Sequence, residues 1–177
     1  MSTTERLTRP SGPRQLTAAI VLALGIGASV GTALLFEHVG GYIPCALCLQ
    51  ERIPYYAAVP LAVVTAVLAT RPRAGALTRA LLVLIGLVML YSLSLGIYHA
   101  GVEWSFWAGP TDCAQSGGAD LTGDLLSAID AVQPPSCSEA AGRFLGLSFA
   151  GWNALGSALF AAIAFVAAFG RSGRASA

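Results

Sequence analysis

The chain has 177 residues, 55% of them hydrophobic and 11% charged, with a formal net charge of +1. A soluble domain of this size carries about 25% charged residues, so this is the composition of an integral membrane protein. Nucleic-acid binding is excluded, because the basic residues, all arginine, are scattered along the chain rather than gathered into a stripe.

The first apolar run, Leu16 to Phe36, follows Arg6, Arg9 and Arg14. It is too long for the hydrophobic region of a signal peptide and no small-x-small cleavage site follows it, so it reads as a membrane span. Within it, "GIGASVG" (Gly25 to Gly31) has the wrong spacing for a nucleotide loop; its small residues suit close helix approach. A short polar stretch then carries "PCALCLQER", with Cys45, Cys48, Glu51 and Arg52. The second run, Ile53 to Ala69, borrows from this stretch to reach the ~20 residues that cross a bilayer core. Arg71, Arg73 and Arg79 precede the third run, Ala80 to Tyr98.

A long polar stretch from His99 to about Arg143 holds Cys113 and Cys137 together with Glu103, Asp112, Asp120, Asp124, Asp130 and Glu139. Trp104, Phe106 and Trp107 at its start read as an interfacial aromatic belt. "ADLTGDLLSAIDAV" predicts a short amphipathic surface helix, with Leu121, Leu125, Ile129 and Val132 at helical spacing and Asp120 as N-cap. The last apolar run extends from about Phe144 to Phe169, followed by Arg171 and Arg174. Lipid cannot satisfy backbone polar groups, and the runs lack barrel-type alternation, so the spans are helices. The fold expected is an all-α bundle of four transmembrane helices in a single domain over 1–177. The spans lie at about 16–36, 50–69, 79–98 and 146–169, with outward loops at 37–49 and 99–145.

Arginine placement orients the bundle. Arg6, Arg9, Arg14, Arg71, Arg73, Arg79, Arg171 and Arg174 all fall on one side of a four-span chain, which the positive-inside rule makes cytoplasmic. Both termini are then cytoplasmic, and all four cysteines lie in outward loops, where disulfides form and persist.

Three explanations compete for the C-x-x-C: a structural staple, half of a metal site, or a redox-active dithiol. The second span starts on the outer side near Pro44-Cys45, and unpaired N–H groups at a helix start favour thiolate over thiol. Cys45, Cys48 and Arg52 are spaced i, i+3 and i+7 and share a helical face, unless the helix restarts at Pro54, which cannot donate to the Gln50 carbonyl. An arginine one turn toward the lipid is costly without an anion, which a Cys48 thiolate or a reduced electron acceptor would supply. No metal-ligand set is predicted, because Cys113 and Cys137 lack compact spacing and no histidine is close by in sequence. Structural disulfides account for the even cysteine number and the compartment but leave Arg52 without a reason. A redox pair accounts for all of it, with the loop dithiols exchanging through mixed disulfides. With no nucleotide or haem motif in the chain, a bilayer quinone is the natural electron sink.

"FEHVGGYIPCALCLQERIPYY" resembles the first-loop signature of the disulfide bond formation protein B (DsbB) family, membrane quinone reductases that reoxidise the periplasmic thiol oxidase DsbA. "YHAGVEWSFWAGPTDC" resembles the entry to that family's second loop, and "CSEAAGRFLGLSFAGWN" the return into its fourth span. The resemblance implies that quinone oxidises Cys45 and Cys48 directly, with Cys48 the quinone-facing sulfur and Arg52 stabilising both the thiolate and the reduced quinone. Cys113 would form the mixed disulfide with a periplasmic DsbA-like partner, and Cys137 would resolve it. His99 stands where the family often has a histidine near the quinone, although on residue grounds a histidine at a span end is an interfacial residue. Glu51 belongs either beside the site or on a solvated face, and His38 matches the pattern with no assigned role. The resemblance further implies a bacterial inner-membrane location and a quinone cofactor, ubiquinone ahead of menaquinone. Two other readings stand beside it. A vitamin-K-epoxide-reductase-like enzyme runs analogous chemistry, but with its cysteine pairs in the opposite order. A non-enzymatic four-span protein would use the cysteines as structural disulfides.

Overall fold

The computed structural model describes residues 11–110, 113 and 136–170. Its elements are α1 (Pro13–His38), α2 (Ala46–Ala69), a 3-10 turn at Pro72–Ala74, α3 (Gly75–Glu103), a two-stranded hairpin of β1 (Arg143–Phe144) and β2 (Leu147–Ser148), and α4 (Phe149–Phe169). All four α-helices are long and apolar enough to cross a membrane. The chain is thus an all-α four-span protein. The amphipathic helix expected over "ADLTGDLLSAIDAV" lies outside the described residues.

Local chemistry sets the helix ends. Pro13 occupies the first position of α1, where its missing N–H costs nothing, and the Gly12 N–H donates to Gln15 Oε1 at 2.9 Å. The Ser148 hydroxyl caps α4 by accepting the Gly151 N–H at 3.2 Å. The fourth helix therefore begins at Phe149, inside the apolar run rather than at its head at Phe144. Leu145 (φ 53°) and Gly146 (φ 82°) turn the hairpin ahead of it, the left-handed pair that a two-residue hairpin demands. The other helices overrun their apolar runs. Three of the overhanging turns, at the end of α1, the start of α2 and the end of α3, carry site residues.

The bundle is held by small residues and a polar layer. Leu22, Ile26, Ala58, Ala62, Leu82, Ile85, Met89, Phe160 and Ala164 form the buried centre, while Leu24, Ile53, Val67, Leu87 and Leu159 point outward, as a lipid-facing surface requires. Gly96 lets α3 and α4 close up, since a Cβ there would sit 3.0 Å from the Ala154 backbone nitrogen. In mid-bundle the hydroxyls of Tyr55 and Ser157 lie 2.9 Å apart, and Ser157 Oγ donates to Ser92 Oγ at 2.9 Å, tying α2, α3 and α4 together.

At the opposite end from the cysteines, Arg79 is buried rather than displayed. Its Nη1 donates to the carbonyls of Ala168 at 2.7 Å and Gly170 at 3.5 Å, and Gln15 Nε2 donates to Ala167 at 3.1 Å. These bonds satisfy carbonyls that the end of α4 leaves open and place a cation on its negative dipole end. Arg79 is therefore a structural cap and a weaker witness to topology than the arginines around it. Arg79→Met is expected to lower unfolding stability in detergent by about 2–3 kcal/mol, the worth of charge-assisted bonds to buried carbonyls. An unchanged melting temperature would refute the capping role.

Candidate active site

The site is assembled at the first turn of α2. Cys45 is its N-cap: the sulfur accepts the Cys48 N–H at 3.3 Å, and the i, i+3 spacing brings the two sulfurs to 2.7 Å as free cysteines. Cys45 is buried and Cys48 half-buried. The Cys48 thiol, as hydrogen-bond donor, pulls the pKa of Cys45 down from 9.0 to about 4; burial opposes this, and His99 and the Cys48 N–H assist it. Cys45 is thus the sulfur that carries the negative charge.

His99 reaches the pair from the far end of α3, with Nε2 3.7 Å from Cys45 Sγ and Nδ1 2.9 Å from Glu51 Oε1. Glu51 lies one turn past Cys48 on α2 and is buried rather than on a solvated face. Glu103, one turn beyond His99, places Oε1 4.0 Å from His99 Nε2. Its other oxygen is buried with no hydrogen-bond partner among the described residues.

The second cysteine pair is joined, Cys113 to Cys137, with Cα atoms 5.7 Å apart. Both residues are buried in one apolar cluster with Cys45, Leu47 and Val102, against which Cys48 also packs. The fold thus brings all four predicted cysteines together.

Arg52 stays on the cysteine side of α2, because the helix runs unbroken through Pro54 and Pro60. Among the described residues its ion-pair partner is Glu37, whose Oε2 accepts from Nη1 in the last turn of α1. The physical cause is that α1 ends beside the start of α2 and presents a carboxylate at the same depth.

A cavity of about 740 Å³ opens beside these groups. Cys45, Cys48, Glu51, Arg52, His99 and Glu103 line it on one side, and Ala28, Leu155 and Leu159 give it an apolar wall. Asn153 of α4 also lines it, with a buried Nδ2 that finds no acceptor among the described residues. Sequence reasoning missed Glu37, Glu103 and Asn153 as site residues. Glu103 carries a signal, its i, i+4 spacing from His99, whereas Glu37 and Asn153 become meaningful only once the helices are packed.

A four-span membrane protein with a reduced C-x-x-C packed against a second, oxidised cysteine pair is built as a thiol oxidoreductase of disulfide-bond formation. The chain belongs to the disulfide bond formation protein DsbB family, whose pattern matches residues 14–167. It is also similar to the uncharacterized protein RP370 of Rickettsia prowazekii (strain Madrid E), 27% identical over 130 residues that cover 72% of each chain. No solved structure matches.

Proposed function

We propose that the chain is a thiol:quinone oxidoreductase of the bacterial inner membrane that reoxidises a periplasmic DsbA-like dithiol protein. The observation that carries this reading is the contiguity of the buried cysteine cluster, which holds both pairs, with a cavity that the C-x-x-C lines. In this scheme the partner's dithiol reduces the Cys113–Cys137 disulfide through a mixed disulfide on Cys113, and Cys137 resolves it. The resulting dithiol then reduces a Cys45–Cys48 disulfide by the same exchange. Cys45, buried in the shared cluster, is the sulfur placed for exchange with the loop pair. Cys48, less buried and lining the cavity, is placed to face the acceptor.

The residues present fit a quinone. The cavity has the size of a small-molecule site, an apolar wall for an isoprenoid chain, and an orphaned Asn153 N–H suited to a carbonyl oxygen. A bound quinone would supply a sink for two electrons and two protons. When Cys45, which carries the negative charge, and Cys48 close to a disulfide, the Cys48 thiol proton must leave, and His99, held in orientation by Glu51, is the ionisable group beside the pair. Arg52, fixed by Glu37, places a permanent cation on the cavity wall. Ubiquinone is favoured over menaquinone. Both termini are cytoplasmic and the cysteine end periplasmic, on the arginine distribution.

The test is turnover. Purified protein mixed with a reduced DsbA-like partner and ubiquinone is expected to consume two partner thiols for each quinone reduced, one disulfide per quinone. Thiol loss without quinone reduction would refute the quinone reading.

A further inference from the structure

We infer that the reduced Cys45–Cys48 pair forms, with His99, a binding site for a thiophilic divalent cation of the Zn²⁺ type. Sequence spacing argues against a metal because no histidine lies near the cysteines. The fold removes that objection, since the two sulfurs and a His99 nitrogen lie within 4.8 Å of one another. Tetrahedral zinc with bonds of ~2.3 Å to sulfur and ~2.0 Å to nitrogen holds those ligands ~3.5 Å apart, close to the 3.7 Å between Cys45 Sγ and His99 Nε2. The sulfurs must open from 2.7 Å to ~3.8 Å, within reach of a χ1 adjustment at the half-buried Cys48.

Two further observations point to a cation. Glu51 Oε1 lies 2.9 Å from His99 Nδ1 and accepts its N–H in the carboxylate–histidine arrangement that leaves Nε2 as the metal-facing nitrogen. Glu103, with its side chain 3% exposed, holds a carboxylate oxygen without a hydrogen-bond partner among the described residues and lies one turn from His99. A buried carboxylate oxygen left unpaired is costly, and a cation held by the two sulfurs and His99 would give it a nearby counter-charge, although Glu103 itself lies outside the cluster of three ligand atoms. Two thiolates and an imidazole select zinc over calcium or magnesium, which take oxygen ligands. On binding, two metal–sulfur bonds form, any thiol protons remaining on the sulfurs go to solvent, and no electrons move. Only the dithiol can bind; a Cys45–Cys48 disulfide cannot. The metal would therefore hold the pair reduced and stop the cycle. This last consequence rests on the redox function proposed above, whereas the site itself does not.

The test uses the full chain in detergent with Cys113→Ala and Cys137→Ala, so that one thiol pair remains, and Co²⁺ as the spectroscopic probe. The reduced protein is expected to bind one Co²⁺ per chain with thiolate-to-cobalt charge-transfer and tetrahedral ligand-field bands, displaced by Zn²⁺. Oxidising the same protein to the Cys45–Cys48 disulfide should abolish the bands, a comparison independent of any folding defect. Glu51→Gln should weaken binding ~10-fold or more at unchanged stoichiometry. His99→Ala should lose the tetrahedral signature. Absence of charge-transfer bands in the reduced protein, or bands and affinity unaltered in His99→Ala, would overturn the site. Cobalt binding by a protein that fails to reduce quinone when metal-free would leave the site standing and remove the quinone reading.

Discussion

Replacing Cys48 by serine is expected to abolish partner-to-quinone turnover, a loss of at least about three orders of magnitude, while leaving the bundle folded. Cys48 is half-buried at the surface of the first turn of α2 and contributes no volume to the helix core, so Ser costs little packing. Serine keeps a hydroxyl donor in place of the thiol that lowers the Cys45 pKa, so the substitution removes chiefly the sulfur that closes the C-x-x-C disulfide. Without it, Cys45 can still exchange with Cys113 or Cys137, because all three share one buried cluster. The expected signature is an inter-loop disulfide that accumulates in the variant, read by non-reducing peptide mapping. A purely structural cysteine pair predicts the opposite pattern: lower stability, no trapped species and no change in a turnover that never existed.

The four spans are legible in the sequence because their signal is compositional. Twenty apolar residues in a row have few other uses, and neither tertiary contact nor loop conformation enters that inference. The placement of Cys45 at a helix start is equally local, set by Pro44 and the apolar run behind it. His99 is different. On residue grounds it is an interfacial side chain, and its contact with Cys45 spans 54 positions that only the packing of α2 on α3 brings together. Glu103 counts in the sequence among the acidic residues of the long loop, because the third apolar run stops at Tyr98. Helix α3 in fact continues through Glu103 and buries it. Apolar content marks where a helix meets lipid, whereas the hydrogen-bond ladder decides where it ends. At a functional site those two boundaries separate.

The same separation explains Arg52, whose replacement gives the second large effect. Arg52→Met is expected both to destabilise the protein by about 2–3 kcal/mol and to raise the KM for quinone tenfold or more. The first effect follows from stranding Glu37, whose partly buried carboxylate loses its counter-charge; the usual 3–5 kcal/mol for breaking a buried pair is reduced here because both side chains retain some solvent contact. The second follows from loss of the fixed cation on the cavity wall. The two effects part company in a double variant. Glu37→Gln with Arg52→Met removes both charges together, so most of the lost stability should return, measured as detergent unfolding midpoints in a double-mutant cycle. The KM should remain high, because the cation is still missing. If the double variant recovers quinone affinity along with stability, Arg52 serves only to neutralise Glu37 and has no part in holding the acceptor. An unchanged KM in Arg52→Met alone leads to the same conclusion directly. A raised KM that persists after stability is restored assigns the arginine to the cavity, with Glu37 as the residue that keeps it there.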